Sequence, residues 1–326
     1  MRRIYIYTGN HGHSVGISDI VTMIRNGARD CGYDAVVSHE PVSGEWNILI
    51  ENFGDERYRN FIRSRWTPGT RYIIVCSELI SSGGFNLGLG AIDAHYGNRT
   101  YWDTRYRGFL DIASLSEELW VLHEAVIADY QKAFPDKHIS FLRHGWVSGM
   151  SQVQHRREQD KDIDFFFSGG LTPSRMEILR RLEKSYRIAV LPQSGADYLR
   201  NDVLARSKIC LAMPLTPLNS LPSISRLHYH IVNRNFVVQQ AYAENCILDQ
   251  YVLNAPASEY IDWARGALDI HNRRELAEAS YARFQAEMPL SKWLRPMLDP
   301  TDTEAGAPAP RSTYFRVSPV LTSTHH

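Results

Sequence analysis

The sequence predicts an α/β protein made of two halves that face each other, and three observations carry that prediction. Short apolar runs alternate with amphipathic stretches from residue 4 to residue 142, as strands joined by crossover helices do. The same alternation restarts at residue 163. Between them, residues 152–162 are polar and charged without an apolar period, the composition of a linker. A chain of 326 residues also exceeds what one core comfortably supports. The expected division is a first domain over residues 1–151, the linker, a second domain over 163–298, and a disordered tail over 299–326 rich in Pro, Ala, Thr and Ser.

In the first half, residues 4–8 read as a strand entering the loop Gly9-Asn10-His11-Gly12-His13-Ser14. Ile17, Ile20, Val21, Ile24 and Ala28 then recur at helical spacing up to Cys31-Gly32. Residues 34–38, 46–51 and 71–77 supply strands, with a helix over 57–65 before the turn Thr67-Pro68-Gly69. Residues 81–111, rich in Gly, Tyr, Arg and Asn, show no clean period and are expected to be irregular structure beside a site. A strand over 119–122, a helix over 125–134 stopped by Pro135, and a strand over 139–142 complete this half. In the second half, strands over 163–167, 187–191, 209–213 and 236–239 alternate with helices over 174–186, 198–205 and 224–233. Pro192 and Pro214 close two of these strands, and helical segments over 258–298 follow.

Composition excludes several classes. The 36 basic and 36 acidic side chains cancel, so nothing draws the whole chain to a phosphate backbone, and duplex nucleic-acid binding is disfavoured. No apolar run approaches the ~20 residues a bilayer span requires. The opening Met1-Arg2-Arg3-Ile4-Tyr5-Ile6-Tyr7 turns polar too soon for a secretory leader, and the expected location is cytoplasmic. Cys31, Cys76, Cys210 and Cys246 are dispersed with no CxxC pair, so they are expected to be reduced.

Two helix starts in the second half have the chemistry of anion sites. Ser168-Gly169-Gly170-Leu171-Thr172-Pro173-Ser174-Arg175 ends a strand in glycines and opens a helix, leaving backbone N–H groups at the positive end of the helix dipole. Gly-Gly also makes ordinary turns, and Ser or Thr ordinarily caps helices. Pro222-Ser223-Ile224-Ser225-Arg226 repeats the arrangement after the next strand but one, where parallel sheets place ligands. Together the two suggest a diphosphate.

On these residues the stretch 162–239 resembles the nucleotide-sugar-binding half of GT-B glycosyltransferases, in particular the group 1, spore-maturation-like domains. Phe167-Ser168-Gly169, the helix Arg175-Met176-Glu177-Ile178-Leu179-Arg180-Arg181-Leu182, Leu204-Ala205-Arg206-Ser207-Lys208-Ile209-Cys210-Leu211, and Ser225-Arg226 through Phe236-Val237-Val238 match the family's pattern in order. The first half matches by architecture alone. The resemblance implies two Rossmann-like domains facing a cleft. It implies a nucleotide-diphosphate sugar as donor and co-substrate, and transfer to an acceptor hydroxyl without metal or cofactor. The donor residues it implies are Ser168, Gly169, Gly170, Thr172, Arg175, Pro192, Met213, Ser223, Ser225, Arg226, Tyr229 and His230. One departure stands out: the family's ribose-holding glutamate is replaced by Tyr229, flanked by His228 and His230. Arg226 is kept, and its fork of donors suits a diphosphate. A non-catalytic nucleotide or sugar-phosphate binding module of the same fold is the alternative. An NAD-dependent enzyme is disfavoured, because Gly9-Asn10-His11-Gly12-His13-Ser14 breaks the GxGxxG spacing.

For the acceptor side, His11 or His13 is a candidate base, since histidine titrates near neutrality, and Glu78 is the rival. A His-x-His pair is also compatible with capping, adventitious metal binding or plain surface exposure. Asp103 is a weaker candidate. Asp160-Lys161-Asp162-Ile163-Asp164 contains a DxD spacing, but it precedes its strand instead of following one, so no metal site is expected. Tyr96, Tyr101, Trp102 and Tyr106 with Arg99, Arg105 and Arg107 form an aromatic and basic patch that would stack sugars or unpaired bases, or simply pack the loop. A carbohydrate or small-molecule acceptor is expected, with modified nucleic acid as a further class.

Overall fold

The computed structural model describes residues 2–8, 17–81, 83–87, 97–191, 196–215 and 221–299. The first sheet contains β1 (Arg3–Tyr7), β2 (Asp34–Ser38), β3 (Trp46–Ile50), β4 (Arg71–Cys76), β7 (Glu118–Val121) and β8 (His138–Phe141). The order is β2-β1-β3-β4-β7-β8 and every pairing is parallel. A small antiparallel ribbon, β5 (Ile80–Ser81) and β6 (Gly84–Phe85), follows β4. The second sheet is also wholly parallel, with β9 (Ile163–Ser168), β10 (Ile188–Leu191), β11 (Ser207–Ala212), β12 (Val237–Gln240) and β13 (Leu253–Ala255) in the order β10-β9-β11-β12-β13. The short β13 had no counterpart among the expected strands.

Strand order reverses between β1 and β3 in the first sheet and between β9 and β11 in the second. Such switch points open a crevice at the carboxyl ends of the strands. Along each strand, side chains alternate between faces, and both faces are covered, which is why the strands read as nearly continuous apolar runs. Ile4, Ile48, Ile73 and Trp120 of the first sheet share one buried cluster with Phe166, Cys210 and Val237 of the second, filled in by α1 (Ser18–Asp30) and residues 224–232. On the opposite face of the first sheet, Leu49, Tyr72, Ile74 and Leu119 pack under α2 (Glu56–Arg65), α3 (Arg99–Ala113) and α4 (Ile127–Ala133). On the opposite face of the second, Phe165, Phe167, Ile209 and Leu211 meet α5 (Pro173–Glu183) and residues 260–267. The four cysteines are free.

The helix α3 corrects the expectation of irregular structure over 81–111. Asn98 caps it by accepting from the Tyr101 N–H at 3.1 Å, and Trp102, Phe109, Ile112 and Ala113 line its buried face together with Arg105. Helical period was present, but a charged residue occupies one of the core positions and hides it. Trp102 is buried and Arg105 is ion-paired inside, so neither is available to stack a ligand. Tyr96 lies outside the described residues.

The remaining helices are α6 (Asp197–Ala205), α7 (Ile224–Val232), α8 (Tyr260–Gly266), α9 (Arg273–Glu287) and α10 (Ser291–Leu298). α9 packs on α7, and α10 returns to pack on α1 of the first unit. Between them, residues 288–290 cross the connection that leaves the first sheet: Trp146 N–H donates to Met288 O at 2.6 Å and Leu290 N–H donates to Trp146 O at 2.9 Å. Gly145 permits this crossing, because a Cβ there would sit 2.8 Å from Met288 O. The segment 152–162 is less solvated than its composition suggests: Val153 is buried, and His155 Nε2 bonds Asn233 O at 2.7 Å.

Candidate functional site

The switch point of the second sheet lies between Ser168, at the end of β9, and Met213, just past β11. Two arginines converge on it, at 5.2 Å (Arg175) and 5.6 Å (Arg226) from the Phe167 ring centroid. Their hydrogen bonding is opposite. Arg175, in the first turn of α5, donates to the carbonyls of Gly170 at 2.8 Å, Met213 at 2.7 Å and Pro214 at 2.9 Å, and so ties the ends of β9 and β11 together. Its donors therefore brace the backbone. Arg226, in the first turn of α7, has a buried Nη1 without a hydrogen-bond partner and forms no salt bridge among the described residues. Burial draws its pKa below the ordinary arginine value, with Tyr242 and Tyr260 the nearby groups that oppose the shift. A guanidinium does not deprotonate in a protein, so this one keeps an unmet demand for an anion.

Gly169 is where backbone and guanidinium meet. Its φ is +137°, and a Cβ would lie 2.5 Å from Arg226 Nη2. Only glycine satisfies both conditions. On either side, the helix starts are uncapped by their own side chains: Thr172 before α5 and Ser223 before α7 make no capping bond, and Thr172 Oγ1 instead meets Ser174 Oγ at 3.2 Å. Neither Thr172 nor Ser223 thus occupies the leading N–H groups of its helix, which stay at the positive end of the dipole.

The α7 start is held from the other sheet. Leu221 packs against the aromatic cluster of the first unit, as Leu79 does. His123, two residues past β7, bonds Pro222 O through Nε2 at 3.0 Å, and His144, past β8, bonds Ser225 Oγ at 3.0 Å. His228, one turn further along α7, reaches Gly145 O at 2.8 Å. A second bridge joins the helices: Arg200 of α6 makes two bonds to Asp19 of α1, at 2.8 and 2.9 Å. The carboxyl ends of the two sheets thus meet across a seam at which α7 sits.

At the first sheet's carboxyl ends, Arg105 reaches from α3 to Glu51, the residue after β3, with Nε 3.0 Å from Oε1 and Nη2 on Oε2. The same Nη2 lies 2.7 Å from Glu78 Oε1, while Asn86 Nδ2 donates to Glu78 Oε2 at 2.7 Å. The Glu51 side chain is 0% exposed and that of Glu78 18%. Burial pushes the Glu51 carboxyl up, and the Arg105 guanidinium pulls it partly back. Glu78 thus stands two residues past β4 with both oxygens engaged. Glu51, His123, His144 and Tyr242 were not among the sequence candidates. Glu51, His123 and His144 acquire their roles through partners 54, 99 and 81 residues away.

Of the other expected residues, His11, His13 and Pro192 lie outside the described residues. Tyr229 faces α6: its hydroxyl donates to Asn201 Oδ1, and Arg200 stacks on its ring at 3.7 Å. His230 lies beneath α7 against Phe166, 6.1 Å between ring centroids, and burial pushes it down to about 3. The Tyr229 hydroxyl is thus committed to α6, whereas His230 is near enough to Arg226 to feel its charge, and its Nε2 has no partner among the described residues. Asp162 and Asp164 of the DxD spacing pair with Arg206 and Lys208, and Asp103 with Arg99. No cluster of three or more metal-ligating side chains occurs among the described residues.

No family model and no curated protein matches this chain. Solved structures similar to it include a mutant of S. aureus TarM in complex with Fondaparinux, alpha-GlcNAc-glycerol and UDP, at 10% identity and TM-score 0.49, covering 80% of this chain and 56% of that one. Also similar is the pneumococcal O-GlcNAc transferase GtfA in complex with UDP and GlcNAc, at 10% identity and TM-score 0.41, covering 76% and 56%. A third is the N-terminal domain of Candida albicans trehalose-6-phosphate phosphatase, at 8% identity and TM-score 0.46, covering 91% and 95%. The chain spans a little over half the length of TarM and GtfA. Fold and site on their own define an α/β protein with two parallel sheets meeting at their carboxyl ends. Among the described residues no helix is long and apolar enough to cross a membrane.

Proposed function

We propose that this chain transfers a glycosyl group from a nucleotide-diphosphate sugar to an acceptor hydroxyl at the seam, without a metal. The observation that carries the reading is Arg226, a buried guanidinium with no counter-anion among the described residues, standing at a switch point between two helix starts. A diphosphate answers that demand, because its oxygens accept from the guanidinium and from the leading N–H groups of α5 and α7 together. As the bond from the sugar to the diphosphate breaks, negative charge grows on the leaving oxygen, and Arg226 with the two helix dipoles stabilises it where it develops. Ser168, Gly169, Gly170, Ser223 and Ser225 would line the phosphates. The acceptor would approach from the first sheet. Its base would be His11, His13 or Glu78, and the engagement of both Glu78 oxygens favours the histidines.

One observation favours a second reading, a binding module without turnover. Tyr229 stands where the resembled family holds the donor ribose with a glutamate, and its hydroxyl is committed to Asn201. Calorimetry with UDP, GDP, dTDP, CDP and ADP tests the shared premise. One of them is expected to bind, and Arg226→Ala to weaken that binding ~100-fold, the loss of two charge-assisted hydrogen bonds. Absence of association with all five overturns both readings. Incubation with the matching nucleotide sugars then separates them: hydrolysis or transfer marks the enzyme, binding alone the module.

A further inference from the structure

We infer that His144, a residue of the first unit, is a positioning residue for the diphosphate site of the second: it orients the Ser225 hydroxyl so that its proton points to the anion held by Arg226. The inference deepens the reading above and rests on it. It begins with the way α7 is mounted. Leu221, Pro222, Ser225 and His228 all touch the first unit, at Leu79's cluster, His123, His144 and Gly145. Ser225 and His228, three apart, share one helical face. Arg226, ~100° further round the helix from Ser225, turns its guanidinium to Gly169. The helix is therefore docked on one sheet and presents its charge to the other.

The proton placement follows from which atoms are satisfied. His144 is buried, 3% exposed, with Nε2 3.0 Å from Ser225 Oγ and Nδ1 without a partner among the described residues. A proton on Nδ1 would be a buried donor without an acceptor, so the proton sits on Nε2 and is donated to Ser225 Oγ. Burial, with His228 and His123 alongside, holds this imidazole neutral well below its ordinary titration range. Ser225 Oγ, already accepting, has its own hydrogen left to give. No other bond to that hydroxyl occurs among the described residues, and the next residue in the chain is Arg226. A phosphoryl oxygen on Arg226 is the acceptor that completes the pair.

A double-mutant cycle in calorimetric UDP and inorganic pyrophosphate binding tests this, using the full chain. His144→Ala and Ser225→Ala are each expected to weaken binding about tenfold, the value of one hydrogen bond to a charged group, and the double variant to be no weaker than either single one. His144→Gln, which keeps an N–H donor, is expected to recover most of the loss. Thermal unfolding of each variant checks that it folds, and a merely structural role for His144 would lower melting temperature without the non-additivity in affinity. If Arg226→Ala abolishes binding while His144→Ala and Ser225→Ala bind as the wild type, or if their losses multiply, the diphosphate reading survives and this inference falls. If the wild type binds neither probe, or Arg226→Ala binds as the wild type does, both fall.

Discussion

Two buried arginines stand at the carboxyl ends of the two sheets, and their surroundings are opposite. Arg105 of the first sheet faces two carboxylates, Glu51 and Glu78, which raise its pKa further above the arginine value. Arg226 of the second faces none among the described residues, and its pKa is lowered. A guanidinium matched within the protein serves the fold, because its charge is compensated before any ligand arrives. One left unmatched is a standing liability that a ligand anion removes. The contrast separates a structural charge from a binding charge by burial and partners alone.

Acid sharpens the comparison most. His228 and His155 are pushed down to about 4, and His230 to about 3, all by burial, and all three belong to α7 or bond its carboxyl end. An unfolded histidine takes a proton near pH 6.5, so each of these loses stability as pH falls from there to its folded value, about 1.4 kcal/mol per pH unit. Glu51 has the reverse sign: raised in the fold, it binds its proton more readily there, so acid does not weaken the first sheet through it. Urea midpoints between pH 7 and 4 should fall steeply, and His230→Leu should flatten the slope; a level profile contradicts the assignment. Replacing each arginine by methionine comes next. Arg105→Met strands two carboxylates and is expected to lose about 3–5 kcal/mol in denaturant titration. Gly169→Ala meets both a positive φ and the Arg226 guanidinium, and about 2 kcal/mol of destabilisation is expected, whereas Gly170→Ala, with open space around it, should be near neutral. Arg226→Met is the smallest in stability and the most telling in sign: the midpoint should hold or rise by ~1 kcal/mol while diphosphate binding is lost. A fall like that of Arg105→Met would erase the distinction.

Much of the fold was legible because both faces of each parallel sheet are covered, so its strands announce themselves as apolar runs bounded by Gly and Pro. Ile163–Ser168 and Ser207–Ala212 were visible in that way. Helix α3 was hidden because Arg105 takes a core position that only its pairing with Glu51, 54 residues earlier, makes tenable. The two glycine and serine helix starts were readable from local pattern, and Arg226 with them. His123 and His144 were not: their partners lie 99 and 81 residues away and belong to the other sheet. Arg175 was legible as a cation at a helix start, but its bonds to the carbonyls of Gly170, Met213 and Pro214, the last two 38 and 39 residues away, were not.

The chain passes between the sheets twice, and the two passages are bonded to each other where Trp146 meets residues 288–290. Like a door whose two pins have been brought to the same height, such a pair leaves rotation about one short line and resists shear along it. Gly145 is the bearing surface, since any side chain there would push the strands of that joint apart. Any swing about that line would have to part the α7 start from His123 and His144, so the end of the helix that carries Arg226 acts as the latch.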